Sequence, residues 1–297
     1  MQYALGIDIG GTNIKALALT AKGRLLAQTV VPTSGGSRAE WTPNVRQAMT
    51  EIQNKLRTAP AWIGVAAPGL AAKDQRSISH MPGRLPGLER LDWQKFFRHP
   101  RPVPVLNDAH AALLGEVWRG AARGAQNVIL LTLGTGVGGA ALVDGRLLRG
   151  HLGRAGHLGH ISVDPAGKPD IVRTPGSLEN ALGDCTLKKR SGGRFVSTNE
   201  LLAAMENGDA QARRVWTNSL QALAVSVNSF INLFDPELVV IGGGIANAGG
   251  LLFPPLRKAV RQMEWRPDGA RVRIVSAELG YRAGAYGAAW QSLQVGQ

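Results

Sequence analysis

The chain has 297 residues, 44% of them hydrophobic and 19% charged, which is enough apolar mass for one large or two ordinary folded domains and too much for a disordered chain. A single cysteine, Cys185, excludes an internal disulfide and any metal site built from several thiolates. There is no apolar run of about 18 residues to make a membrane span, and the first residues carry no basic leader segment, so a cytoplasmic protein without a membrane partner is expected. The net charge of +13 reads either as an arginine-rich composition or as attraction for phosphate-rich partners. The basic clusters at 188–190 and 257–261 are short and lack interleaved aromatics, so no nucleic-acid partner is expected.

Strands are expected at 3–9, 14–19 and 25–31, with turns at Gly10-Gly11 and Ala21-Lys22-Gly23. Val45, Met49, Ile52 and Leu56 recur at helical spacing and predict a helix over 42–56. Strands follow at 62–67 and 102–106, then a helix at 109–119. The order then restarts. Strands are expected at 128–133, 140–143 and 146–148, the last two joined by an Asp144-Gly145 turn. Residues 150–197 read mostly as loop, a length that implies function or hidden structure. A helix at 209–234, a strand at 238–241, a helix at 251–262, a strand at 272–275 and a helix at 283–291 complete the chain. A β-β-β-α-β-α block thus occurs twice, which predicts an α/β protein of two similar halves facing a central cleft.

Four motifs carry chemistry. In Gly6-Ile7-Asp8-Ile9-Gly10-Gly11-Thr12-Asn13 a carboxylate ends a buried strand before two glycines, a pattern suited to holding Mg²⁺ and letting backbone N–H groups reach a phosphate. Gly134-Thr135-Gly136-Val137-Gly138-Gly139 lies in a strand–loop–strand, so it is neither a Walker A loop nor a dinucleotide fingerprint. It reads as a second phosphate clamp. Asn107-Asp108 ends a strand: Asn107 can hydrogen-bond a sugar hydroxyl, and Asp108 can take the proton of an attacking hydroxyl or cap the helix that follows. Gly242-Gly243-Gly244 after a strand suits a flat nucleotide base, or is a plain strand-to-helix turn.

These segments, with VLNDAHAALLGE (105–116), LTLGTGVGGAALVDGRLLRG (131–150), FDPELVVIGGGIA (234–246) and LGYRAGAYGAA (279–289), resemble the ROK family of sugar kinases. The resemblance implies two RNase H-like domains of the actin-like ATPase type, with residues 1–108 plus a C-terminal helix 284–297 as the small domain and 109–283 as the large one. It implies an ATP- and Mg²⁺-dependent hexose kinase acting on the 6-OH of glucose or a relative, as a dimer or tetramer. It assigns Asp108 as the base and Gly69, Asn107, Asp108, His157, His160 and Glu179 to the sugar. It assigns Asp8, Gly10, Gly11, Thr12, Asn13, Lys15, Gly134, Thr135, Gly136, Gly138 and Gly242–Gly244 to the nucleotide and Mg²⁺, with Asp8 on the metal.

The sequence also departs from the family. His157 stands where glucokinase-like members have the Glu of Glu-x-Gly-His. In the zinc segment Cys-x-Cys-Gly-x-x-Gly-Cys-x-Glu, Ser177 takes the place of the last Cys and the other thiols are absent, so no structural zinc is expected. Packing of Pro165, Ile171, Val172 and Leu178 is the expected substitute. His157 and His160 are read as pointing to opposite faces of an extended stretch, and Cys185 as core filler; a metal site of His151, His157, His160 and Cys185 is the alternative. Two other functions stay open: a polyphosphate-dependent hexokinase, suggested by the charge, and a non-catalytic sugar or nucleotide sensor, suggested by the lost thiols and His157.

Overall fold

A computed structural model describes residues 2–34, 37–81, 83 and 85–295. It divides the chain into two units, Met1–Gly124 with Arg149–Ala155 and Glu278–Gln297, and Ala125–Leu148 with Gly156–Ala277. The boundary expected after residue 108 therefore falls after 124. The expected C-terminal helix is found as Ala283–Val295, and residues 296 and 297 lie outside the described residues.

In the first unit, β1 (Ala4–Ile9), β2 (Asn13–Leu19), β3 (Leu25–Pro32), α1 (Arg38–Leu56) and β4 (Trp62–Ala67) are followed by the short strands β5 (Leu70–Ala71) and β6 (Ile78–His80), α2 (Trp93–Phe97), β7 (Val105–Asn107) and α3 (Asp108–Arg119). The sheet order is β3-β2-β1-β4-β7; the first three strands are antiparallel and β1, β4 and β7 run parallel. α1 starts before Pro43, earlier than the spacing predicts. Ser37 precedes it and donates to Glu40, and the first turn buries Trp41, whose indole N–H donates to Pro86 O at 3.0 Å. α2 adds Trp93, stacked 5.8 Å from Phe97, to that core.

Alternation along β1 sorts its side chains onto two faces. Leu5, Ile7 and Ile9 join the core that contains Trp41, Val45 and Ile52 of α1. Ala4 packs with Ala285, Tyr286 and Ala289 of the C-terminal helix, and Gly6 and Asp8 share that face. Contact there is main chain against main chain. A Cβ on Gly6 would lie 1.8 Å from Ala285 O, on Gly64 1.9 Å from Ala288 O, on Gly115 of α3 2.3 Å from Ala283 O, and on Gly287 1.7 Å from Ala111 O. The C-terminal helix thus seats directly on β1, β4 and α3, which is why α3 belongs to the first unit.

The second unit repeats the plan. β8 (Val128–Leu133), β9 (Val137–Val143) and β10 (Arg146–Leu147) precede α4 (Leu178–Leu182), α5 (Asp184–Arg190), α6 (Thr198–Glu206), α7 (Ala210–Phe234), β11 (Leu238–Gly242), α8 (Phe253–Met263) and β12 (Arg273–Ser276). The sheet order β10-β9-β8-β11-β12 matches the first sheet strand for strand, parallel pairs included. Helices α4 and α5 occupy what the sequence reads as loop: Leu178, Leu182 and Leu187 are core residues too few and too irregularly spaced to signal a helix. No helix among the described residues is long and apolar enough to cross a membrane.

Replacing Gly287 by Ala forces a methyl into a carbonyl that cannot swing away, and is expected to lower the unfolding free energy by about 3 kcal/mol. Gly11→Ala meets nothing within 4 Å and should change stability by less than about 0.5 kcal/mol. Urea unfolding of the two variants against the parent checks both.

Candidate active site

Three parallel strands of the first unit end at one edge of its sheet. Asp8, next to last in β1, pairs in register with Ala66 of β4; Ala67, just before Pro68-Gly69, pairs with Asn107, the last residue of β7. Carboxyl ends of parallel strands are where α/β sheets place their ligand groups. Asp8, Gly69, Asn107 and Asp108 are thereby gathered without any long-range adjustment.

Asp8 is buried and sits opposite Lys15 in the β1–β2 register, with Lys15 Nζ 3.3 Å from Oδ2. Its carboxyl group lies against Gly284 in the first turn of the C-terminal helix, where a Cβ would come within 2.9 Å of it. Burial lifts the Asp8 pKa above the ordinary carboxylate range; Lys15 opposes the shift and the negative charge of Asp108 adds to it. The turn that follows is closed by Gly10 N–H to Asn13 O at 3.0 Å and by Thr33, whose hydroxyl donates to Gly10 O at 2.6 Å. Gly11, Thr12 and Asn13 stand exposed on it.

The structure resolves the two roles open at residues 107 and 108. Asn107, not Asp108, is the N-cap of α3: its Oδ1 accepts from Ala109 N–H at 3.0 Å and His110 N–H at 3.2 Å. Its Nδ2 donates to Gly69 O at 3.0 Å, so most of its hydrogen-bonding capacity is spent on the fold rather than free for a sugar. Gly69 can make this link because it adopts φ +99°, against His80 O. Asp108 begins the helix and is exposed, with Oδ1 accepting from Ala109 N–H at 2.8 Å.

In the second unit the corresponding edge carries two glycine turns. The first is shorter than expected. It spans Gly134–Gly136, closed by Gly134 N–H to Gly136 O at 3.0 Å, and β9 starts at Val137. Gly138 and Gly139 are strand residues, Gly139 because Leu158 and Gly156 O pack on it. Asp184 and Cys185 of α5 donate their N–H groups to Gly134 O and Thr135 O at 3.0 and 2.8 Å. Cys185 is exposed, correcting its reading as core filler; Leu187 takes the core position instead. The second turn follows β11. Gly242 packs on Ala277, Gly243 at φ +87° lies against Leu133 O, and Gly244 faces open space. The two turns are neighbours, because Gly242 pairs with Thr132 in register.

Glu179 lies in the first turn of α4, and its Oε2 accepts from Val137 N–H at 3.0 Å. The residue assigned to the sugar is therefore fastened to the end of the Gly134–Gly136 turn. His157 is half-buried, and Leu158–His160 form a 3-10 turn rather than an extended stretch. His160 Nδ1 is 2.8 Å from Asp170 Oδ2. Ile171 and Val172, expected to pack this segment, are 80% and 55% exposed; Leu178 is buried as expected. Hydrogen bonds to Asp170 do the work instead. Sequence reading missed Asp170, although the signal was present: counting the cysteine pattern back from Ser177 puts Asp170 at its first Cys. Among the described residues His151, His157, His160 and Cys185 form no cluster able to hold a metal.

Two units, each built on a five-stranded sheet of the same strand order with glycine turns at strand ends, define a protein of the actin-like ATPase fold. The model of the ROK family matches residues 4–295, and the chain belongs to that family. A glucokinase of Halalkalibacterium halodurans is 31% identical over 97% of this chain and 94% of its own. The crystal structure of a ROK hexokinase from Thermus thermophilus is 30% identical, with a TM-score of 0.86 over 99% of this chain and 98% of that one. A ROK glucokinase from Streptomyces griseus, in complex with glucose and AMPPNP, is 28% identical with a TM-score of 0.81, over 98% of this chain and 99% of its own.

Because burial raises the Asp8 pKa, its ionised form costs stability at neutral pH, and that cost falls away as acid protonates the native side chain. Asp8→Asn is therefore expected to melt higher than the parent at pH 7, with the gain shrinking toward pH 4, while losing activity. Thermal melts across that range check the sign.

Proposed function

We propose that the protein transfers the γ-phosphate of ATP to a hydroxyl of a hexose, the 6-OH of glucose or a close relative, with Asp108 as general base. As a class the protein is an ATP-dependent sugar kinase. The observation that carries the assignment of the base is the division of labour at the start of α3: Asn107 caps the helix, leaving Asp108 exposed at the same strand edge as Asp8. A carboxylate there accepts the hydroxyl proton as the sugar oxygen bonds to phosphorus; the bond from phosphorus to the β–γ bridging oxygen breaks and ADP departs.

In each unit taken by itself the turn suits a phosphate group, through the backbone of Gly11 and Thr12 in the first and of Thr135 and Gly136 in the second, and Gly244 leaves room for a nucleotide. Glu179 uses Oε2 on Val137 and keeps Oε1 for a sugar hydroxyl. Mg²⁺ suits the residues present: the buried Asp8 meets the negative charge of Asp108 as well as the positive charge of Lys15, so it favours an additional cation. Asp8 would hold the ion directly or through water, and the ion supplies neutralisation of phosphate charge. A non-catalytic sensor has no need of an exposed base.

Asp108→Asn is expected to lower kcat by about 10²–10⁴-fold with an unchanged melting temperature. A coupled assay with ATP or polyphosphate as donor and glucose, mannose, fructose, allose, N-acetylglucosamine or N-acetylmannosamine as acceptor reads both the base and the substrate. Wild-type turnover by the variant would remove Asp108 from its role.

A further inference from the structure

Between the 3-10 turn 158–160 and α4 the chain is tied around one carboxylate. The Asp170 side chain is shut off from solvent under a thin cover. Its Oδ1 accepts from the N–H groups of Val172 and Thr174, each at 2.9 Å, and its Oδ2 meets His160 Nδ1 at 2.8 Å. The buried Ser177 hydroxyl is a further partner, and the Ser177 Oγ in turn accepts from Asn180 N–H at 3.2 Å, capping α4. Backbone bonds Asp170 N–H to Thr174 O and Arg173 N–H to Asp170 O close the turn, with Arg173 at φ +71°. Burial alone would push the Asp170 pKa up, but the bonds from His160, Ser177, Thr174 and Val172 outweigh it and hold the carboxyl below its ordinary range.

We infer that Asp170 is a positioning residue for sugar recognition: it fixes the ring and tautomer of His160 and, through Ser177, the helix turn that carries Glu179. The inference rests on the kinase reading above for the identity of the ligand. Its chemistry follows from the donor set. An ionised carboxylate only accepts hydrogen bonds, so His160 must carry its proton on Nδ1. With the Nδ1 proton held there, the neutral form of the ring has Nε2 as an acceptor for a sugar hydroxyl. Ser177 sets the start of α4, and Glu179 lies in the first turn beyond it. One buried carboxylate thus orients two of the groups assigned to the sugar, and Ile171 and Val172 are free to stay at the surface.

Long-range ¹H–¹⁵N spectra of the histidine rings test this, with the His160 signals identified by their loss in His160→Gln. The parent should show the Nδ1–H tautomer at His160. In Asp170→Asn, the amide can still accept from the backbone N–H groups through Oδ1 while its NH₂ donates to Nδ1, so His160 should switch to Nε2–H. The same variant should raise the KM for the sugar tenfold or more and leave the KM for ATP within twofold. An Nε2–H tautomer in the parent, or an unchanged sugar KM in the variant, overturns the inference. If Asp170→Asn does not fold, the parent spectrum with and without glucose decides: a glucose-induced shift at an Nδ1–H His160 supports the inference, and no shift at glucose concentrations that saturate the protein by calorimetry overturns it. Calorimetry without ATP also separates the two readings, since a chain that binds sugar in this way but never phosphorylates it would defeat only the kinase assignment.

Discussion

Main-chain contact, with glycine as its condition, is the constraint on which the first unit rests. Gly6, Gly64, Gly115 and Gly287 each meet a carbonyl at a distance no side chain tolerates, so the C-terminal helix lies on β1, β4 and α3 at the closest approach backbones allow. That closeness has a chemical result. It brings the first turn of the helix, at Gly284, onto the Asp8 carboxylate, and it sets α3 so that Asp108 projects at the same strand edge. Side chains can shift by rotamer, but two backbones in contact cannot, so the separation of the two carboxylates is fixed by the scaffold.

Two buried carboxylates in this chain meet opposite electrostatic fates, and hydrogen-bond supply explains why. Asp170 is surrounded by donors, and its ionised form is favoured despite desolvation. Asp8 has one lysine at 3.3 Å and a second carboxylate nearby, so burial dominates and its charge is only partly compensated. A satisfied carboxylate is a structural pin, whereas an under-satisfied one is poised to take a positive ligand. The pin lies in the segment without thiols, and the poised group lies beside the Gly10–Gly11 turn.

The fold was legible because its signals are local. The apolar stretch of β1 ending in Gly10-Gly11, the Asp144-Gly145 turn and the apolar run of β11 each state their element within a few residues, and their repetition in order states the topology. The two glycine turns were legible for the same reason, apart from the end of the second, where Gly138 and Gly139 serve strand packing and look identical to turn glycines in sequence. What stayed hidden depends on partners distant in the chain. That Asn107 rather than Asp108 caps α3 follows from Gly69, which fixes Nδ2 and so aims Oδ1 at the helix. Helices α4 and α5 exist because Ser177, Glu179 and Asp184 find partners elsewhere in their unit, not because of their own periodicity. Ile171 and Val172 mislead because apolar character suggests burial, while the actual tie is a carboxylate that sequence intuition places outside.

Glu116, fully buried in α3, accepts from the N–H of Leu279 at a separation of 163 residues along the chain. The unit to which both belong is interrupted by the whole of the other. During synthesis, the face of β1 and β2 formed by Ala4, Leu17 and Leu19 therefore waits uncovered while the second unit leaves the ribosome. Closing so long a loop costs little in final stability, because loop entropy grows only with the logarithm of length, but it delays the step and keeps an apolar surface open in the meantime. The carboxylates therefore acquire their final spacing only after the last helix, Ala283–Val295, has been made and seats on the glycines.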